Sequence, residues 1–570
     1  MVLLSKVRQT WGMTQQGGNS SSSDRVKKYL STTGVKSAWS LPPKWLRFLI
    51  VVLLLIGIFF RFVNLNRKVY AVDEVYTSLR ISGYTEAELV QQVSESQVVN
   101  IQDLQKYQQT NSEKDISDTV QGLVREEPQL TPLYFIITRF WVEAFGNSVA
   151  VTRSLSVLIN CLAFPCLYWL CVELFELKLT SWVAIALFAV SPFQVLYAQE
   201  ARSYSLWTVT ILLSSTLLLR AIRLNKLRTW IIYALSVVMG LYTFLYFALV
   251  AVAHGIYVLG IKGFRKSKIF TAYLLACIAG FLAFLPWIVI TSPYIPQMQS
   301  KIGWQNTRQP LSLLVKRWLG CISRNFVDLN FKLDTQIIYL IPFFATILVL
   351  LAAIGYSTYV LCRRTPKKTW LFILTLILVP TLALALPDVV LGGSRSMYPR
   401  YLVPFYLGSQ LAIAYLLATK ITSANRKNQR VWQLAMVMLL SLGVVSCAGI
   451  SQADAWWNKY SSSYNYQISQ IINSTPKPLL ITVTEADKIA YPNIGNLISL
   501  SYLLEPKVQA QLVVEPKLPA ISKNFSDIFL IDFLFSDYYS QVLNEVKNKY
   551  NLNIEPVFSR SKEVVLYKLK

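Results

Sequence analysis

Eleven stretches of this chain are almost purely apolar, several of them near the roughly 20 residues that a helix needs to cross a bilayer. They are Trp45–Val63 and then, approximately, 149–172, 180–198, 204–219, 229–243, 244–261, 269–290, 337–361, 369–387, 401–419 and 431–450. In hydrocarbon every backbone N–H and C=O must find its partner within the protein, which leaves helices as the natural form for such runs. Composition agrees, because 54% hydrophobic and 15% charged residues give a mean hydropathy of +0.42 over 570 residues, more apolar surface than a water-soluble fold conceals. The expected fold class is a polytopic α-helical membrane protein of about eleven spans.

The formal charge of +25 would suggest nucleic acid in a soluble protein. Here the basic residues cluster between apolar runs and read as topology, so no nucleic-acid partner is expected. The polar, Ser-rich segment 1–45 is basic and belongs to the cytoplasm, too long before the first run for a simple signal peptide. The loop 64–148 is rich in acids and belongs outside. Within it, residues 131–145 start with Thr131 as N-cap and Pro132 at N1, stop at Gly146, and carry one apolar stripe, which predicts an interface helix rather than a span. If that helix does not cross, the clusters at 220–228, 262–268, 363–368 and 420–430 all face the cytoplasm; if it does, all face outward. Residues 229–261 must then cross twice, with a tight outer turn near Gly240–Thr243. Residues 293–336 form a second outer loop, with Trp304, Arg308 and Arg317. Residues 46–450 make the transmembrane domain, and 451–570 an extracytoplasmic α/β domain with strands at 479–484, 509–514, 527–533 and 564–568 and helices at 493–504 and 537–550. Six of the seven Cys lie in or beside apolar runs, which speaks against a disulfide framework, and the single His254 makes a His-rich metal site improbable.

This topology gathers the polar exceptions on the outer face. They are Asp73-Glu74, Glu127 with Pro132 and Tyr134, Arg153, the run Gln199-Glu200-Ala201-Arg202-Ser203-Tyr204, Ser394-Arg395 and Arg400-Tyr401. Charge at membrane depth is costly and is usually paired or functional. Carboxylates can accept a proton from an acceptor hydroxyl or amine, and arginine forks can hold a phosphodiester and the charge that develops on a departing phosphate. Arg153 and Arg202 could equally pair with Glu127 or Glu200, and Tyr134 and Tyr204 could pack without touching substrate.

The acidic pair after the first run, the Pro132-Leu133-Tyr134 helix running to Phe145-Gly146, Arg153-Ser154-Leu155 opening a span, the Ser191-to-Tyr204 run and Pro399-Arg400-Tyr401-Leu402-Val403-Pro404 together resemble the membrane glycosyltransferases that use polyprenyl-phosphate sugars. These are the GT-C, family 39-like enzymes, which include protein O-mannosyltransferases and the lipid A aminoarabinose transferase. The resemblance covers about 45–420. It implies an inverting transferase with an extracytoplasmic active site, Asp73 as catalytic carboxylate and Glu74 as the second acid. Arg153, Arg202, Arg400 and Arg395 would lie at the donor phosphate, with Glu127, Tyr134, Gln199, Glu200, Tyr204 and Tyr401 around the substrates. The usual proline doublet stands here as Thr131-Pro132. No histidine matches the zinc-associated positions, so a divalent metal is not supported and the lipid-linked donor is the one cofactor-like partner implied. Membrane lipids and a glycan, lipid or protein acceptor complete the partners, in a bacterial plasma membrane rather than the endoplasmic reticulum. A transporter or flippase for lipid-linked sugars, or an oligosaccharide ligase, is the competing reading; the absence of repeated halves weakens the transporter.

Overall fold

The computed structural model describes residues 43–95, 98–263, 267–330, 337–483, 493–513, 525–532, 553–560 and 563–569, with positions 543, 544 and 548. Helix α1 (Lys44–Phe62) leads into an outer group: α2 (Val72–Ser82), α3 (Glu86–Glu95), strand β1 (Val99–Asn100), α4 (Ile116–Glu126) and α5 (Leu133–Phe145). The bundle continues with α6 (Val149–Leu174), α7 (Lys178–Ala189), α8 (Pro192–Ala198), α9 (Tyr204–Leu224), α10 (Leu227–Thr243), α11 (Phe247–Lys262) and α12 (Lys268–Thr291). Helices α13 (Ile295–Ile302) and α14 (Leu311–Ser323) lie in the next loop, before α15 (Ile337–Arg364), α16 (Lys367–Val390), α17 (Val403–Lys420) and α18 (Arg426–Gln452). The chain ends in α19 (Asn465–Asn473), β2 (Pro478–Val483), α20 (Ile494–Ser501), β3 (Gln509–Val513), β4 (Asp527–Ile531), β5 (Ile554–Arg560) and β6 (Glu563–Leu569).

All eleven apolar stretches contain helix, in an integral membrane protein. Among the described residues, seven helices are long and apolar enough to cross a membrane, or eight if α7 and α8 form one broken span. The expectation of about eleven is therefore met in helices but not in lengths. Helices α10 and α11 have only 17 and 16 residues. The α7–α8 pair bends by 58°, where Pro192, which lacks an N–H, starts α8 and the Phe193 N–H donates to the Arg324 carbonyl instead of continuing the helix.

Polar side chains inside the bundle are tied to backbone. Arg61, fully buried near the end of α1, donates to Asn160 Oδ1 and to the carbonyls of Gly57, Ala189 and Phe188. Glycine is required at 57, because a Cβ there would run into the Ala189 carbonyl. The lone His254 sits between the Ser215 and Tyr233 hydroxyls at 3.2 and 3.1 Å, a satisfied core position.

Outside the bundle lies a six-stranded sheet of order β1-β3-β2-β4-β6-β5. Strand β2 is central and parallel to β3 and β4, while β6 runs antiparallel to β4 and β5. The expected strands are present, β5 was not anticipated, and 537–550 falls for the most part outside the described residues. The two regions expected to be separate share one core. Strand β1 pairs antiparallel with β3 (Val99↔Ala510), and Tyr70, Val75, Leu79 and Leu89 pack with Ile468, Leu480, Leu497 and Ile498. Helix α5 has its expected end at Gly146, but it begins at Leu133 with Pro132 in the capping position, and the Thr131 hydroxyl is buried without a partner.

Candidate active site

Helix α2 starts two residues before Glu74, and its first turn decides the geometry. Ala71 is extended, and Glu74 reaches back so that Oε2 accepts from the Ala71 N–H. The same carboxylate is fully buried. It accepts from Arg153 Nε and Nη2, both at 2.8 Å, from Lys459 Nζ at 2.8 Å and from the Ala201 N–H at 3.0 Å. Arg153 gives its remaining hydrogens to the carbonyls of Leu65, Lys68 and Val69. Each of its five N–H groups is thus engaged within the protein, and none is left for a ligand. Burial by itself would raise the Glu74 carboxyl, but Arg153 and Lys459 outweigh it and hold the group well below the ordinary carboxylate range. Arg153, expected at a donor phosphate, instead locks the chain between α1 and α2 to the start of α6.

Asp73 faces another way. Its side chain is 37% exposed and pairs through Oδ2 with Arg400 Nη1. Arg202 lies alongside and donates from Nη1 to the Asp73 carbonyl at 3.1 Å and to the Thr77 hydroxyl at 3.4 Å, and has no other protein acceptor among the described residues. Burial pushes the Asp73 carboxyl up, but the Arg400 and Arg202 guanidiniums outweigh that and hold it below its ordinary value. It is therefore an ionised carboxylate with an open oxygen.

Arg400 stands in an aromatic enclosure. Its guanidinium carbon lies 5.8, 5.4, 5.3 and 5.5 Å from the ring centres of Trp304, Tyr398, Tyr401 and Tyr460, and Nε is buried with no acceptor. The turn that delivers it is built on Asp388, whose Oδ2 accepts from the N–H and hydroxyl of Ser396 at 2.6 and 2.7 Å. Gly392 and Gly393 have φ of 87° and 152°, and a Cβ at 393 would strike Asp388 Oδ1. Tyr460 holds φ 45° and ψ −122°, a backbone conformation side chains rarely adopt, with its ring against Arg400 and Tyr398.

The remaining expected residues divide into neighbours and scaffold. Tyr204 and Tyr401 are buried in the aromatic wall, Tyr204 against Tyr197 and Phe244, Tyr401 against Tyr246, its hydroxyl accepting from Gln305. Arg395 is outside this wall, paired with Asp388 at 3.4 Å and with Asn306. Gln199 caps the end of α1, its amide donating to the carbonyls of Phe60 and Val63 at 2.8 Å while Lys68 donates to its oxygen. Glu200 accepts from Asn458 and from Lys459, and burial, aided by Glu74 and Asp73 and opposed by Lys459, raises its carboxyl. Glu127 lies 3.6 Å from Arg80 in a separate buried cluster with Glu86 and Glu126. Tyr134 is fully buried, with its hydroxyl on Ser156 at 2.7 Å. No group of three or more His, Cys, Asp or Glu side chains able to hold a metal ion occurs among the described residues.

Sequence reasoning missed Lys459, Tyr460, Tyr398 and Asp388. The first two carried a signal: Trp456-Trp457-Asn458-Lys459-Tyr460 is an aromatic cluster around a lone cation directly after the last apolar run. Asp388 lies beside the apolar stretch 369–387 and was hidden by it.

No protein-family model and no curated protein sequence matches the chain. Among solved structures it is similar to the Archaeoglobus fulgidus oligosaccharyltransferase tethered through a disulfide to an acceptor peptide containing the NVT sequon. That likeness has 12% identity and a TM-score of 0.46, and covers 81% of this chain and 64% of the other, so this chain spans less than two thirds of that enzyme's length. It is also similar to ArnT from Cupriavidus metallidurans bound to undecaprenyl phosphate, at 12% identity and TM-score 0.43 over 93% of this chain and 98% of that one. For the apo state of ArnT the figures are 12%, 0.46, 92% and 97%.

Proposed function

We propose that this protein is a GT-C, family 39-like glycosyltransferase that moves a sugar from a polyprenyl-phosphate carrier to an acceptor on the extracytoplasmic side of a bacterial plasma membrane. One observation carries the reading: Asp73, a half-open carboxylate, lies between Arg400, whose Nε has no acceptor, and Arg202, which among the described residues donates from Nη1 alone. The basic clusters between spans support a cytoplasmic N-terminus and an outer site.

In this reaction the acceptor O–H or N–H gives its proton to Asp73 as its oxygen or nitrogen attacks the anomeric carbon. The bond from that carbon to the phosphate oxygen breaks, and the electron pair stays on the phosphate, where Arg400 and Arg202 stabilise it. A single displacement of this kind inverts the anomeric centre. Glu74 and Arg153 take no part in the chemistry and hold the first turn of α2 in place. The acceptor is a glycan, lipid or protein group bearing a free hydroxyl or amine.

The test uses purified protein in detergent with a polyprenyl-phosphate sugar and a panel of acceptors, reading release of polyprenyl phosphate and a one-sugar mass gain. Transfer without a vesicle gradient separates this from a transporter or flippase, and gain of a single monosaccharide separates it from an oligosaccharide ligase. An Asp73→Asn protein that transfers at the wild-type rate would overturn the proposal.

A further inference from the structure

Helix α14 carries Arg317, and Arg324 stands at its C-cap, seven residues on and so on the same side of the helix. Cys321, between them, is buried with its thiol 3.6 Å from the Met397 carbonyl, and the Trp318 indole donates to Ser396 at 3.0 Å. That side of α14 therefore lies against the turn that delivers Arg400. Among the described residues neither Arg317 nor Arg324 has a carboxylate within ion-pairing distance. Arg317 Nε is buried without an acceptor. The Arg324 guanidinium carbon lies 3.7 Å from the centre of the Trp457 ring, which is itself fixed by its indole N–H on Asp328 at 2.6 Å.

Two further donors without acceptors lie nearby. Arg400 Nε is one, and the Tyr197 hydroxyl is the other. Tyr197 packs against Trp457, the ring beneath Arg324, and Tyr398 feels the charge of both Arg400 and Arg317. A buried donor without an acceptor is costly, so Arg317 Nε, Arg400 Nε and the Tyr197 hydroxyl together favour an acceptor-rich, anionic occupant. Among the described residues, Asp73 is the one acid paired with any of these three arginines. The outer flank of α14 exposes Leu311 and Val315, at 59% and 41%, and points to an anion that arrives on an apolar chain.

We propose that Arg317 and Arg324 form a second phosphate-binding patch, beside the turn that carries Arg400, for the phosphate of a lipid. The proposal rests on the transferase reading and extends it. A sugar phosphodiester carries one negative charge. When the sugar departs, the phosphate retains the electron pair and gains a second negative charge, which Arg317 and Arg324 receive. The same patch would serve the second phosphate of a diphosphate carrier.

The experiment measures binding of a polyprenyl monophosphate, a polyprenyl diphosphate and inorganic phosphate to the full-length protein in detergent. Wild type is compared with Arg317→Gln, Arg324→Gln, the double variant and the charge-retaining Arg317→Lys and Arg324→Lys. Each Gln substitution is expected to weaken monophosphate binding about tenfold and the double about a hundredfold, with both Lys variants intermediate and melting temperatures near wild type. A double variant within twofold of wild type overturns the patch. Should the Gln variants not fold, wild-type affinity in both Lys variants overturns it too, because a bidentate fork is lost on changing Arg to Lys. Inorganic phosphate that binds as tightly as the lipid overturns the lipid assignment. Diphosphate binding that is tighter than monophosphate, and reduced by the Gln variants, supports the patch and makes the carrier a diphosphate. A wild-type protein that binds no lipid phosphate defeats the transferase reading itself.

Discussion

Asp73 and Glu74 are neighbours in sequence with the same functional group, yet the structure gives them opposite surroundings. One residue along a helix is a rotation of about 100°, enough to send Glu74 inward and Asp73 to the site. Glu74 accepts five hydrogen bonds and meets two buried cations, so its oxygens have no capacity left. Asp73 has one ion-pair partner and keeps an oxygen in reach of solvent. The number of donors already committed, rather than residue type or proximity, separates an acid that holds a fold from one that can do chemistry. Arg153 and Arg400 repeat the contrast, the first with all its N–H groups engaged and the second with Nε unpartnered.

Substitutions at the pair test this contrast most sharply. Asp73→Asn should lower transfer by about 10²–10⁴-fold while melting like wild type, and should bind polyprenyl phosphate more tightly, because Arg400 is released from its ion pair. Weaker lipid binding in that variant would break the comparison. Glu74→Gln should instead lower stability by about 3–5 kcal/mol, since Arg153 and Lys459 are left buried without their counter-charge. Thermal unfolding in detergent reads this, and a fully stable but inactive Glu74→Gln protein would move Glu74 into the chemistry.

The acid limb of the pH–rate profile gives a smaller effect. Asp73 is held below its ordinary value of about 4, so wild-type transfer should persist down to mildly acidic pH. The stability linked to that depressed value is present above about pH 4 and is lost as pH falls through the folded value. In Arg400→Gln the effect of burial is less opposed, the Asp73 carboxyl rises, and the acid limb should move to higher pH; an unmoved limb would detach Arg400 from Asp73. Smallest of all, Tyr134→Phe should cost about 1 kcal/mol for its bond to Ser156 and leave KM unchanged. A raised KM would return Tyr134 to the substrate.

Much of this could be read in the chain beforehand. The apolar runs fix where helices form, and the sidedness of the basic clusters brings Asp73, Arg202 and Arg400 to one face. Which charged residues are spent on one another is not legible, because it depends on the carbonyls of Leu65, Lys68 and Val69, and backbone groups carry no sequence signal. Gln199 and Glu200 show the same limit: adjacent to Arg202 in a polar run, they serve a helix end and a distant lysine. Nor could periodicity foretell that a two-residue strand at Val99–Asn100 would join the sheet of the far C-terminal region.

Lys459 has a consequence for any attempt to treat the outer part of this protein as interchangeable. It is buried between Glu74 and Glu200, and so joins the first loop, the entry to α9 and the segment beyond α18 at one atom. A truncation or chimera joined at residue 451 would remove the lysine, taking from Glu200 both its Asn458 and its Lys459 donors and leaving Glu74 with Arg153 as its one counter-charge. A junction downstream of Tyr460 keeps the lysine, yet it still cuts the core that Ile468, Leu480, Leu497 and Ile498 share with Val75 and Leu79 and the pairing of β1 with β3, so the outer part is exchanged only together with the first loop.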